Sequence, residues 1–284
     1  MPELPEVETV RRGLERVIIG KTVSEIHVRE TRLRVPVKPK ALRQWIAEQS
    51  ITAVERRAKY VLCRMSNEAH LVIHLGMSGR LLWCHQSLPL EKHDHIQFIL
   101  DDGDELRFRD PRRFGLVDAI APGKLDDYVH FRHLGLEPLS VEFTPKILFE
   151  QAQGLARPIK NHLMDGNRIV GVGNIYANES LFRAGIHPET PAGRVRLDDW
   201  QRLAKAVRNV LRTAIASGGT TLNDFYNSDG EMGYFQQYLK VYSREGEACE
   251  ECGATINRIV QLGRSTYFCP KCQKKSRATM RRGK

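Results

Sequence analysis

The sequence predicts an α+β chain of several domains: an N-terminal β-sandwich with a leading helix, an all-helical domain, and a small C-terminal zinc-ribbon finger. Three observations predict it. Between residue 21 and about residue 120, short β-like runs (TVSEIHV, ITAVERRAKYVLCRM, HLVIHLG, RLLWC, IQFIL, ELRFR) alternate with turn signals, the pattern of an antiparallel sandwich. From about Leu125 the apolar period becomes that of helices. Near the end, Cys249, Cys252, Cys269 and Cys272 fall as two CxxC pairs sixteen residues apart, the spacing of a four-thiolate zinc site. The predicted domains are 1–130, 131–243 and 244–284, which suits 284 residues, a length long for one core.

The chain opens MPELPEVETVRRGL, where Val7, Val10, Leu14 and Val17 form one apolar stripe of a helix and Pro5 suits its first position. A proline behind the initiator methionine has a chemical consequence. If Met1 is trimmed, Pro2 becomes a secondary terminal amine able to form an iminium, a candidate nucleophile. The positive pole of the helix would disfavour its protonated form. Glu3 would be the adjacent acid/base, with Glu6 positioning the terminus. Alone, these residues could equally begin an ordinary surface helix with a frayed end.

Within the sandwich region residues 42–48 predict a short helix, and Lys59 lies in the β-like run RRAKYVL, where strand faces alternate. HLGMSGR (74–80) and DPRRFG (110–115) each place an apolar side chain, Met77 or Phe114, on a glycine-flanked loop beside Arg80, Arg112 or Arg113. A duplex-invading wedge needs this combination, since the apolar group fills the stack while cations hold phosphates. A Met or Phe at a turn is otherwise a core residue.

In the helical region Thr144-Pro145 starts a helix, 160–164 predicts a short helical run stopped by Asp165-Gly166, and 198–217 predicts a long amphipathic helix ended by Gly218-Gly219. GVGNIYANES reads as a glycine turn feeding a helix N-terminus, which can bind a phosphate through backbone N–H groups and Asn174. Residues 219–243 read as a long polar loop of functional type. In the finger, 256–262 and 266–268 predict the arms of a hairpin, with Arg264 between them. A module of about forty residues cannot build an adequate core, so zinc would supply its folding energy.

Lys and Arg exceed Asp and Glu by 44 to 34, and from residue 240 onward eleven Lys/Arg face four Glu. Such a balance favours a polyanionic partner. No apolar run reaches membrane length and no signal core is evident, so a cytoplasmic protein is expected, in which Cys63 and Cys84 are small core residues and the cysteine cluster binds metal.

These strings converge on one resemblance. MPELPEVETVRRGL, RRAKY, HLGMSGR, DPRRFG, NHLMDGNRIVGVGNIYANESLF and the cysteine finger closely resemble the bacterial formamidopyrimidine-DNA glycosylase family over residues 2–273. The resemblance implies a base-excision repair glycosylase and lyase acting as a monomer on duplex DNA with oxidised bases, and one structural Zn2+. It implies a helix–two-turns–helix motif in the second domain. Pro2 would be the nucleophile and Glu3 the acid/base. Lys59 and Arg264 would act at the lesion, and Met77, Arg112 and Phe114 would fill the space of the everted base. His93, Lys160 and Asn174 would contact DNA, and the loop 219–243 would close over the lesion. Asn223 departs from the basic residue often found there, and the tail after Gln273 extends past the usual family end. A sister enzyme of the endonuclease VIII type, specific for oxidised pyrimidines, and a non-catalytic zinc-ribbon DNA-binding protein are the alternatives.

Overall fold

The computed structural model describes residues 2–85, 88–219 and 235–275. Two compact units form, residues 1–133 with 213–237 and residues 134–212 with 238–284.

In the first unit helix α1 (Leu4–Ile18) buries Val7, Val10, Leu14 and Ile18. Ile18 takes the inner position expected of Val17, which is only partly buried. Glu3 is the N-cap, so Pro5 occupies the second helical position and not the first. Strands β1 (Val23–Val28), β2 (Ile51–Arg57), β3 (Tyr60–Met65), β4 (His70–His74), β5 (Arg80–His85), β6 (Asp94–Leu100), β7 (Asp104–Arg109) and β8 (Leu116–Ile120) follow. They pair antiparallel in two four-stranded sheets, β1-β6-β7-β5 and β2-β3-β4-β8. Val54, Val61 and Ile73 of one sheet share a core with Phe98 and Phe108 of the other and with α1, which is the predicted sandwich.

Three details differ from the sequence expectation. Helix α2 spans Pro39–Trp45 and not 42–48, because Pro39 is preset for a first helical position. The run ITAVERRAKYVLCRM is two strands, with Arg57 paired to Tyr60 and Ala58-Lys59 left as a two-residue turn. Strand β6 is buried along its whole length. Its polar side chains are satisfied under a cover: Gln97 donates to Glu105 at 2.8 Å, Arg109 donates to Asp94 at 2.6 Å, and Arg107 donates to the carbonyls of Leu88 and Pro89 at 2.6 and 3.0 Å.

The second unit holds α3 (Pro145–Ala152), α4 (Ile159–Leu163), α5 (Asn174–Ala184) and the greater part of α6 (Leu197–Ala216), then the hairpin β9 (Asn257–Gln261) and β10 (Arg264–Phe268). Thr144 caps α3 by accepting the Ile147 N–H at 3.3 Å. Trp200, Leu203, Val207, Val210 and Leu211 form the buried stripe of α6. No helix among the described residues is long and apolar enough to cross a membrane.

Candidate active site and nucleic-acid interface

The start of α1 is unusually buried for a chain terminus. Pro2 is buried and Glu3 and Glu6 are each 3% exposed. Glu3 and Glu6 form a reciprocal capping box, in which the Glu3 backbone N–H donates to the Glu6 carboxylate at 2.8 Å. Gly219, at φ +86°, lies so close to Glu6 that a Cβ there would stand 3.2 Å from its carboxylate. The capping box thus fixes Glu3 and Glu6, the two carboxylates that neighbour Pro2 in the chain.

The same end of the unit gathers other polar groups. Glu8, one turn into α1, pairs with Arg56 at 3.1 Å, and Arg56 donates to the Ala58 carbonyl at 2.8 Å. This ties the start of α1 to the turn that bears Lys59. Ala58 holds φ +53°, which presents Lys59 at the turn apex, partly exposed, and not on a strand face. Tyr60 pairs across the ladder with His74, their rings 4.7 Å apart.

His74 is a candidate that sequence reasoning passed over, although HLGMSGR begins with it. Burial, then the nearby cations Lys59, Arg34 and His130, push its imidazole down to about 4, so it is neutral at pH 7. The Gly76 N–H donates to its Nδ1 at 2.9 Å, which fixes the tautomer with hydrogen on Nε2. A neutral donor of this kind suits a phosphate or sugar oxygen.

Two loops follow from His74 and from β7, and Asp110 staples them. The fully buried Asp110 carboxylate accepts from Ser78 Oγ at 2.8 Å and from the Gly115 N–H at 2.7 Å. Its backbone N–H donates to the His93 carbonyl at 3.1 Å, and its carbonyl meets His95 Nε2 at 2.8 Å. The loops touch so closely that a Cβ on Gly76 would stand 2.4 Å from the Phe114 backbone. On this rigid base Met77 and Phe114 are 39% and 44% exposed, and the Arg112 guanidinium lies 5.0 Å over the Phe114 ring. His93 lies half-buried at the start of β6, edge-on to His95.

In the second unit Asn174 begins α5 and donates to the Ser265 carbonyl at 3.0 Å. Lys160, expected as a DNA contact, is fully buried, its ammonium 3.1 Å from the Ser265 carbonyl and 2.6 Å from Thr266 Oγ1. Here it fixes the finger hairpin from below. Both side chains therefore bear on the strand that starts with the exposed Arg264.

The four finger cysteines bring their sulfurs within 4.8 Å of one another. Tetrahedral zinc with Zn–S bonds of about 2.3 Å needs sulfurs about 3.8 Å apart, so Cys249, Cys252, Cys269 and Cys272 fit one Zn2+. A backbone hydrogen bond from Ala254 and the neighbouring thiols lower the pKa of the Cys252 thiol, while burial and the same neighbours raise those of Cys269 and Cys272, so the four sulfurs share their protons as one set. Cys63 is buried and Cys84 half-buried, both away from this cluster in sequence and role.

Three family models match in series: the formamidopyrimidine-DNA glycosylase N-terminal domain over residues 1–117, its H2TH domain over 134–226, and a zinc finger found in FPG and IleRS over 246–275. The chain belongs to the formamidopyrimidine-DNA glycosylase family. The formamidopyrimidine-DNA glycosylases of Edwardsiella ictaluri and Syntrophotalea carbinolica are 47% and 49% identical, over 96% of this chain and all of theirs. Among solved structures, the Lactococcus lactis Fpg in complex with abasic-site DNA aligns at TM-score 0.89 and 33% identity, covering 96% of this chain and all of that one. The Thermus thermophilus MutM (Fpg) protein aligns at 0.86 and 38%, over 97% and 100%. Within the family frame, most of the loop expected to close over the lesion, with Asn223, lies outside the described residues, as does the tail after Lys275.

Proposed function

We propose that this chain is a base-excision DNA glycosylase and lyase that removes oxidised purines, 8-oxoguanine and formamidopyrimidines, from duplex DNA. What carries the reading is the buried, capped Pro2-Glu3 terminus, in a chain that matches all three domains of its family. The Pro2 amine attacks the sugar C1′, the base departs, and the resulting iminium acidifies the neighbouring sugar protons so that elimination cleaves the strand on both sides. Glu3 protonates the ring oxygen and then shuttles protons, a task that needs a carboxyl group within hydrogen-bond reach. Lys59 and the neutral His74 hold phosphate oxygens.

The division of labour follows the chain. Residues 1–130 carry the chemistry, 131–243 and 244–284 grip the duplex, and zinc is structural. Met77, Arg112 and Phe114 fill the gap left by eversion, which costs least at a damaged pair. His93, Asn174 and Arg264 take backbone phosphates, while Lys160 acts through the hairpin it supports.

Borohydride should trap a protein–DNA adduct on a duplex with one 8-oxoguanine, and a peptide map should place the link at residue 2. A link at Lys59 would overturn the assignment. The oxidised-pyrimidine reading has one observation in its favour, because a Lactococcus lactis Fpg structure is described with DNA containing an oxidised pyrimidine. Parallel kinetics on 8-oxoguanine and thymine glycol duplexes decide the order. Faster excision of thymine glycol would move this chain to the pyrimidine side.

A further inference from the structure

Arg113 stands between Arg112 and Phe114, the guanidinium and ring of the wedge, but its own backbone is left-handed, at φ +57°. Its N–H closes the turn onto the Asp110 carbonyl at 3.2 Å. An arginine seldom takes this region, which glycine or asparagine enters with less strain. The two neighbouring guanidiniums part company here. That of Arg112 lies over the Phe114 ring, and that of Arg113 meets the Glu30 carboxylate at 3.0 Å.

Glu30 is built to receive it. The residue follows β1, and its segment is tied to β6, because the Arg29 and Glu30 N–H groups donate to the His95 carbonyl at 2.9 and 3.4 Å. Arg32 grips the carboxylate as a fork, Nε donating to one oxygen and its terminal nitrogen to the other, each at 3.0 Å. The Arg32 backbone N–H adds a third bond at 2.8 Å. These bonds, then the charge of Arg113, hold the Glu30 carboxyl down at about 2, so it is an anion at neutral pH. Its side chain is 13% exposed, and it is already oriented where Arg113 reaches it. A pair of free surface side chains fixes little, whereas a carboxylate held in advance gives its partner a direction. An acid beside a loop that meets a polyanion also weakens the attraction for phosphate, a cost that a purely decorative residue would not offset.

We propose that Glu30 is a positioning residue for the wedge: by holding Arg113 in its left-handed turn it keeps the Arg112 guanidinium on Phe114 and so sharpens discrimination between bases opposite the lesion. A guanidinium in the vacated space donates to the acceptors of a cytosine and suits adenine poorly. Asp110 fixes this loop from within, and the Glu30–Arg113 pair fixes it from outside. Arg113 is then an anchor and not a phosphate contact. The proposal rests on the reading of the chain as a DNA glycosylase whose Arg112 fills the space of the everted base.

The test uses full-length zinc-loaded protein carrying Glu30→Ala, Glu30→Gln, Arg113→Ala, Arg112→Ala or the pair Glu30→Ala/Arg112→Ala. Thermal melting reports the fold. Single-turnover excision of 8-oxoguanine opposite cytosine and opposite adenine gives the discrimination ratio, and titration of a tetrahydrofuran duplex across a salt series reports phosphate contacts. Glu30→Ala and Arg113→Ala should melt within about 3 °C of wild type, as the loss of a surface pair does. Each should lower the cytosine-to-adenine ratio about fourfold, with Glu30→Gln between them and wild type, and Glu30→Ala should add nothing once Arg112 is alanine. The salt slope of Arg113→Ala should stay that of wild type. A wild-type ratio in stable Glu30→Ala overturns the proposal, and so does an additive loss on the Arg112→Ala background. A flattened salt slope in Arg113→Ala overturns it by making Arg113 a phosphate contact. Absence of any discrimination in the wild-type protein overturns it as well, and borohydride trapping run alongside shows whether the glycosylase reading falls with it.

Discussion

At the scale of single residues, Asp110 organises more of the interface than any side chain that would touch DNA. Its carboxylate takes a hydroxyl from the Met77 loop and an N–H from the Phe114 loop, while its backbone engages His93 and His95. Asp110→Ala should cost roughly 2–4 kcal/mol in urea denaturation, because two buried donors lose their acceptor, and Asp110→Asn should cost less. Full stability in Asp110→Ala would show that the loops hold without the staple. The role was not legible in sequence. DPRRFG drew attention for Arg112 and Phe114, but the staple depends on Ser78, thirty-two residues earlier, and on backbone geometry. Lys59 was misplaced for a related reason, since Ala58 is no turn-former and only its φ of +53° reveals the turn. A second prediction concerns His162, fully buried, with both ring nitrogens lacking a partner and its ring edge-on to Trp200. Burial first, then Arg157 and Arg168, push it down to about 4. The unfolded chain therefore binds an extra proton between about pH 6.5 and pH 4, so this contribution to stability is complete above that window and falls as pH drops through it. His162→Phe should keep the ring contact and remove roughly 1 kcal/mol of the loss between pH 7 and pH 5. An unaltered pH profile would remove His162 from the account.

At the scale of elements, what the sequence states locally came through and what depends on distant partners did not. The Thr144 cap and the long stripe of α6 were readable because both signals lie within a few residues. The sandwich was readable from alternation, except at β6, whose outer face is roofed by residues that carry no periodic signal. Glu179 shows the same limit within α5. It looks like an ordinary helix glutamate, yet it is fully buried and accepts the backbone N–H groups of Lys240, Val241 and Tyr242 at 3.0–3.1 Å. A carboxylate is needed because all the partners are donors. Glu179→Gln turns an amide donor toward them and should destabilise the second unit by roughly 1–3 kcal/mol. Hydrogen exchange would locate the effect, with Lys240–Tyr242 amides losing protection first. Retained protection there would mean that the segment is held by the finger alone.

At the scale of the whole molecule, the two units differ in what holds them together, and zinc is the point of difference. The sandwich buries a continuous apolar core with α1, whereas the finger's own cluster holds little beyond its cysteines, Ile256, Val241 and Phe182. So small a cluster cannot offset the ordering of its chain, and metal binding supplies the folding energy. The finger is also coupled to the helices of its unit. Lys160 and Asn174 spend their donors on Ser265 and Thr266, and the Asn178 side chain accepts the Tyr267 N–H at 2.8 Å. Loss of the hairpin would take from the buried Lys160 ammonium its Ser265 and Thr266 acceptors, so damage should pass from the finger into α4 and α5. Chelation of zinc, or Cys249→Ser, should therefore do more than release the last residues. It should lower the melting temperature of the helical unit and weaken duplex affinity at least tenfold, while the sandwich transition stays near its place. Calorimetry with two resolved transitions would separate these outcomes. If only the finger unfolds and the helical transition holds, the Lys160 ammonium finds other acceptors and the hairpin is an appendage; if the sandwich falls too, its core is not self-sufficient.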